Sequence, residues 1–259
     1  IVPPEVVDTK ESVVEDTIRL VKKYHDRSRF SMCQVGIAPS IAQYETEDII
    51  EAVVDLAEEY DIMVHGHLAE SQHEVEYTLK TWGCRPFEWF KRHRLLGKRF
   101  YFAHCIHLNE EEIAQMAETG TGVAHCPISN MLLSSGACPV PSYLEHGLTR
   151  IGLGVDGAAS SNSSNMLEEI RCAYLLNRLT WGDKAATPDD YLYMATAGGA
   201  KVLGRDDIGY LAPGMAADFA QMDWNQLTYA GGCYDPVACI VESGDPRLVK
   251  NVVVNGELV

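Results

Sequence analysis

Apolar positions along this chain switch repeatedly between a strand period and a helix period. Residues 11 to 25 carry Val13, Val14, Ile18, Leu20 and Val21 at roughly helical spacing, with acids early and Lys22 and Lys23 late, which predicts an amphipathic helix. Residues 30 to 38 read as a strand stopped by Pro39. Thr46 stands where it can cap a helix with Glu47 and Asp48 in its first turn and Ile49, Ile50, Val53, Val54 and Ala57 on its apolar face. A buried strand at 62 to 67 follows. Residues 71 to 93 are helical with a break near Gly83 and Pro86, and 100 to 104 is the next strand. Asn109 caps a helix over 110 to 119 that Gly120 ends. Strands at 122 to 126 and 150 to 155 flank a helix near 142 to 146, and a long helix covers 166 to 179.

Five strand-helix units in a row imply parallel strands joined by helical crossovers. A doubly wound sheet satisfies that pattern. The polar residues argue for a different arrangement, because His67, His104, His125 and Asp156 recur at the C-terminal ends of successive strands. In a (β/α)₈ barrel those ends face one shared site. The expected fold class is therefore α/β, a (β/α)₈ barrel of which this chain carries strands four to eight. After Leu203 the chain becomes turn-rich around 208 to 214, with short apolar runs at 237 to 241 and 249 to 254. The expected division is a barrel portion over 1 to 204 and part of a small β-sandwich over 205 to 259.

Composition narrows the function. The 259 residues carry a formal charge of −16, which argues against nucleic-acid polymers or anionic membranes as partners. No apolar stretch approaches the roughly 20 residues of a membrane helix. Eight cysteines, none in CxxC spacing, read as reduced thiols of a cytoplasmic protein. The start Ile1-Val2-Pro3-Pro4 has no Met and suggests a segment upstream.

The chemistry concentrates at His65-Gly66-His67-Leu68-Ala69-Glu70. Side chains alternate along a strand, so His65 and His67 point to one side, and Glu70 lies just past the strand end. An imidazole that binds a divalent ion, the hydroxide the ion makes available near pH 7, and a carboxylate that moves protons suit metal-assisted hydrolysis. With His104 and Asp156 these residues form an incomplete metal site on three strand ends, suited to zinc and also to iron or manganese. His67 and Asp156 supply two ligands, and His104 either binds the metal or holds the attacking water. Competing patterns are missing. There is no His-Glu-x-x-His pair, Cys126-Pro127 does not open a Pro-Cys-x-x-Cys site, and Gly157-Ala158-Ala159-Ser160-Ser161 is not a nucleophile elbow.

Three runs carry a specific resemblance: FAHCIHL at 102 to 108, TGTGVAHCPISN at 119 to 130 and GLGVDGAASSNSSNMLEEIR at 152 to 171. They resemble the amidohydrolase superfamily, in the branch that deaminates ring amidines such as 8-oxoguanine, S-adenosylhomocysteine and methylthioadenosine, with triazine hydrolases nearby. The resemblance implies a barrel with a β-sandwich and one divalent metal, usually zinc, bound by a His-x-His pair on strand one, a strand-five His and a strand-eight Asp. His67 and Asp156 match the last two, Glu70 the proton-shuttling carboxylate and His104 the His that orients the water. The strand-one pair is absent from these residues.

The activity so implied is loss of an exocyclic amine as ammonia from a purine-like base, with 8-oxoguanine or an isocytosine-like base first. S-adenosylhomocysteine or methylthioadenosine deamination and triazine hydrolysis are the alternatives, and a homo-oligomer is expected. An inactive scaffold lacking the metal is the reading of another class. The loop at 40 to 44 faces the substrate in the family, which makes Gln43 a substrate candidate, along with His107. Trp181 and Tyr44 are candidates for stacking on a ring. His65, His73, Trp82, Trp89, His93, His125 and Asn130 read as structural, and 160 to 165 as a polar loop capping the next helix.

Overall fold

Parallel strand pairing organises the computed structural model, which describes residues 7–259; the Ile1 to Pro4 start lies outside them. Helix α1 (Lys10–Tyr24) is capped by the Thr9 hydroxyl, which accepts from the Ser12 amide, and buries Thr17 and Val21. Strand β1 is only Gly36–Ile37, far shorter than the strand predicted over 30 to 38. Phe30 has a left-handed backbone (φ 66°). Its amide donates to Asp207, the Val35 amide donates to His25 Nδ1, and the Ser31 carbonyl accepts from Arg205. Backbone groups already tied to loops cannot pair with a neighbouring strand.

Helix α2 (Glu47–Tyr60) buries Ile50, Val53, Val54, Leu56 and Ala57 against β2 (Met63–Leu68). Thr46 occupies its N-cap position, but its hydroxyl makes no capping bond. The predicted break is present: α3 (Gln72–Trp82) starts at the Ser71 cap and ends at Gly83 (φ 68°), and α4 (Pro86–Arg92) starts at its proline. Strand β3 (Phe100–His104) leads into α5 (Glu110–Thr119), closed by an Asn109–Glu112 capping box and ended by Gly120. Then come β4 (Gly122–His125), α6 (Pro127–Leu132), α7 (Val140–Glu145), β5 (Ile151–Leu153) and the short α8 (Ala158–Ser161). Helix α9 (Met166–Trp181) is capped by Asn165. Helix α10 (Pro188–Tyr193) runs through a π-turn over Met194–Gly198 into α11 (Gly199–Val202). Gly198 is required here, because a Cβ on it would lie 2.3 Å from the Ile151 carbonyl oxygen.

The five strands lie in the order β1-β2-β3-β4-β5, all parallel. A doubly wound sheet reverses direction at a switch point, and among the described strands there is none. Every C-terminal strand end thus opens on the same rim. Val54, Val64, Leu68, Phe102, Val123, Ile151 and Tyr143 are buried between sheet and helices, each contributing about 1.5–3 kcal/mol by leaving water.

A separate antiparallel sheet joins β6 (Phe219–Met222), β7 (Val249–Val254) and β8 (Glu257–Leu258). The run at 237 to 241, read with that β segment, is instead part of α12 (Pro236–Ser243), where Val241 is fully buried in the main core. Pro236 at the helix start and the Asp235 side chain accepting from the Ala238 amide favour a helix over a strand there.

Candidate metal centre

On β2, Val64, Gly66 and Leu68 are buried while Met63, His65 and His67 take the other face. His67 pairs across the ladder with Ala103, and Leu68 with His104. Strict alternation would therefore turn His104 to the Leu68 face. It does not, because the backbone at His104 is left-handed (φ 68°), and its ring swings back to stack on His67 with centroids 5.5 Å apart. Cys105 (φ 49°), Ala69 (φ 50°) and Asp156 (φ 60°) are left-handed as well. Non-glycine residues rarely adopt that conformation, and they cluster at sites where the surroundings enforce it. The Ala69 carbonyl accepts from the Ile106 and His107 amides, and the Leu68 carbonyl from Cys105, which locks the two strand ends together.

One donor atom each from His67, His104 and Asp156 lies within 4.8 Å of the others. Both imidazoles are oriented from behind. His67 Nδ1 donates to the Ser40 carbonyl at 2.8 Å, and His104 Nδ1 to Asn130 Oδ1 at 2.8 Å. Each Nε2 is left with a free lone pair, the tautomer a metal needs. The Asp156 carboxylate accepts from Ser129 Oγ at 2.5 Å, the Gly157 amide at 2.7 Å and Ser160 Oγ at 3.0 Å. Burial pushes this carboxyl up, but the three donors outweigh it and hold it below its ordinary value. Glu70 Oε1 lies 3.8 Å from His104 Nε2 and 3.4 Å from Ser135 Oγ. Two imidazoles, a carboxylate and an adjacent acid form a donor set that fits a divalent metal and proton transfer beside it.

The polar residues around the cluster divide clearly. His65 stacks on Tyr101 at 4.7 Å, and burial first, then the neighbouring His67, lowers its pKa to about 4. His125 is fully buried and lowered to about 3 by burial, so both rings stay neutral. Glu74 is also buried. Its two oxygens accept from the Ala69 amide at 3.1 Å and the Glu70 amide at 2.9 Å, holding the turn that presents Glu70, and burial raises it to about 7.

The structure brings together His67, Glu70, His104 and Asp156; the substrate candidates take various positions around them. His107 Nε2 bonds the Ser135 carbonyl at 2.8 Å, which places it in the loop beside Glu70. Gln43 lies in a turn over Ala42–Tyr44, next to Ile41, which bridges to His67; its Oε1 is buried without a partner. Tyr44 is exposed. Trp181 ends α9, about 22 Å of helix from the end nearest Asp156, so it does not reach the site. Asn130, read as structural, touches the cluster directly through His104. Nothing in the sequence singles out Ser129, Ser135 or Glu74, although all three bond within the site. The motif run contains the first of them, but nothing in spacing alone marks a serine as a carboxylate partner. A separate cavity of about 520 Å³ at the N-terminal strand ends holds Arg27, Arg99 and Arg205, each paired with Asp61 or Asp207.

Comparison with known proteins gives this geometry a setting. The sequence description of the amidohydrolase family matches residues 1–259. The chain is 41% identical over 254 residues to 8-oxoguanine deaminase of Pseudomonas aeruginosa, covering 98% of this chain and 56% of that protein. It is 35% identical over 261 residues to hydroxydechloroatrazine ethylaminohydrolase of Pseudomonas sp. strain ADP, covering 100% of this chain and 54% of that protein. The crystal structure of atrazine chlorohydrolase from Arthrobacter aurescens TC1 complexed with zinc superposes with a TM-score of 0.94 at 29% identity, covering 100% of this chain and 57% of the other. The chain spans about half the length of the curated relatives it matches.

Proposed function

The chain belongs to the amidohydrolase family, and from that premise we propose that it is the metal-holding part of a hydrolytic deaminase that removes an exocyclic amine as ammonia from a purine-like heterocycle. The observation that carries the reading is the convergence of His67, His104 and Asp156 donor atoms within 4.8 Å, with Glu70 3.8 Å from His104. The identity to 8-oxoguanine deaminase puts 8-oxoguanine first, with an isocytosine-like base next. The relative named for hydroxydechloroatrazine keeps triazine hydrolysis as a second reading. We read 1 to 204 as part of a (β/α)₈ barrel and 205 to 259 as part of a β-sandwich, with α12 joined to the helical shell. We read the protein as cytoplasmic on its eight free thiols and as a homo-oligomer; among the described residues no helix is long and apolar enough to cross a membrane.

His67 and Asp156 would hold one divalent ion, zinc first, and His104 faces the same point. When bound, that ion supplies Lewis acidity and makes hydroxide accessible near neutral pH. Glu70 takes the proton released as water adds to the ring carbon bearing the amine, and delivers it to the adjacent ring nitrogen. The proton of the added hydroxyl, passed through Glu70, goes to the amine and makes it ammonia. The C–N bond breaks and a ring carbonyl remains. His104, fixed by Asn130, orients the attacking water. The buried, unpartnered Gln43 Oε1 suits a ring that offers an N–H donor, as 8-oxoguanine and isocytosine do.

The test is ammonia release by the natural protein at its full length, loaded with zinc, from 8-oxoguanine, guanine, isocytosine, cytosine, S-adenosylhomocysteine and hydroxylated triazines. One strong responder supports the reading and names the ring. Silence with zinc bound overturns deamination, and silence without bound zinc favours the inactive scaffold.

A further inference from the structure

Behind the site, α6, α8 and α9 meet at a junction with more polar groups than its packing needs. Glu169, in the first turn of α9, is fully buried. Its Oε2 accepts from the Ile128 amide at 3.1 Å, and its Oε1 has no partner. Asn130 Nδ2 and Ser161 Oγ are buried and unpartnered too. A buried polar atom without a hydrogen bond costs about 1–3 kcal/mol, so an apolar side chain would serve stability better. Positions that break such a rule tend to do so for function.

The connections suggest which function. Ile128 follows Pro127 at the start of α6, where a helix has amides without internal partners, and Glu169 satisfies that one. The next two residues are the ones that reach the site. Ser129 donates to Asp156 at 2.5 Å, and Asn130 accepts from His104 at 2.8 Å. Covalently, Asp156 leads through α8 into α9. Asp156, Glu169, Ile128 and Ser129 therefore form a closed circuit, three of whose links are a stretch of chain and two hydrogen bonds. Asn130 extends it to His104.

We propose that Glu169 is a positioning residue for the metal centre, fixing the first turn of α6 so that Ser129 and Asn130 aim Asp156 and His104 at one point. This rests on reading His67 and Asp156 as metal ligands. Outer contacts of this kind commonly change metal affinity 10- to 100-fold when removed. Burial raises the Glu169 carboxyl to about 7, so a neutral side chain of the same length is compatible with the position, and Glu169→Gln keeps an oxygen for the Ile128 amide. Glu169→Ala removes it, and Glu169→Asp withdraws it by one methylene.

Zinc affinity of the natural full-length protein is measured by competition with a chromophoric chelator, alongside Tm. Glu169→Ala and Glu169→Asp are expected to weaken zinc about 10- to 100-fold, while Glu169→Gln stays near the native value. Ile170→Ala, which opens the core one residue away (Ile170 is 3% exposed), is expected to lower Tm and leave zinc affinity unchanged. Combining Glu169→Ala with Ser129→Ala should weaken zinc by less than the product of the two separate losses, because both cut one circuit. If Glu169→Ala does not fold, Glu169→Asp carries the comparison. Native affinity in the Ala and Asp variants, a loss no larger than that of Ile170→Ala, or a Gln variant as weak as Ala would overturn the proposal. A native protein that binds no zinc would instead overturn the metal-centre reading beneath it.

Discussion

His104 and His67 stack with ring centroids 5.5 Å apart, and each sends its Nδ1 proton outward, His104 to Asn130 and His67 to the Ser40 carbonyl. Their Nε2 lone pairs are thereby left free. Asn130→Ala leaves His104 free to turn and to change tautomer. The expected outcome is a fall in kcat of about 10- to 100-fold with far-UV circular dichroism unchanged. Native turnover would show that the Asn130 bond does not orient the ring.

Glu70 takes no part in the donor cluster but sits beside it, bonded by Ser135 Oγ at 3.4 Å. Glu70→Gln keeps its size and removes its basicity. Bound zinc, read by elemental analysis, is expected to stay at the native stoichiometry, while kcat falls about 10²- to 10⁴-fold. A full rate in this variant removes Glu70 from proton transfer.

Glu74 gives stability a pH dependence. Its pKa is raised from 4.5 to about 7, so over that interval the unfolded chain has released a proton that the folded protein keeps. Stability is complete below about pH 4.5 and declines as pH rises through 7, by about 3 kcal/mol at most. Glu74→Gln cannot titrate but retains only one acceptor for the Ala69 and Glu70 amides. Its Tm should start lower at pH 5 and fall less between pH 5 and pH 8. Parallel Tm profiles for the two proteins would refute the assignment.

Trp181 supplies a negative prediction. Because it ends α9 far from Asp156, Trp181→Ala is expected to leave KM and kcat within about twofold, with any effect confined to Tm. A large rise in KM would mean the ring contacts substrate after all.

Much of this was legible because it depends on local rules. The Asn109 cap, the Gly83 and Gly120 stops and the strands ending in His67 and His104 all follow from periodicity and capping chemistry. The order of those strands turned scattered histidines into one candidate site. Three features were not legible. Phe30 to Val35 looks apolar enough for a strand, but its amides and carbonyls are taken by Asp207, His25 and Arg205, partners far away in sequence or outside any strand pattern. Residues 237 to 241 are equally apolar as strand or helix, and Pro236 with Asp235 decided the outcome. The roles of Ser129, Ser135 and Glu74 depend on which loops meet at the rim, and a hydroxyl or a buried acid carries no period. Trp181 is the opposite case, an aromatic whose chemistry suits a ring but which stands at the far end of a 16-residue helix.

The left-handed residues at the rim have a consequence for how this protein can change. At Ala69, glycine would relax the backbone at no cost to the donor set. At His104 and Asp156, glycine would relax it by about 1 kcal/mol or more each, yet it would erase the side chain that the site exists to hold. Robustness and chemistry therefore pull against each other at two specific codons. Variation that rewards only a sturdier fold will tend to disarm the rim first and leave an intact, inert scaffold behind.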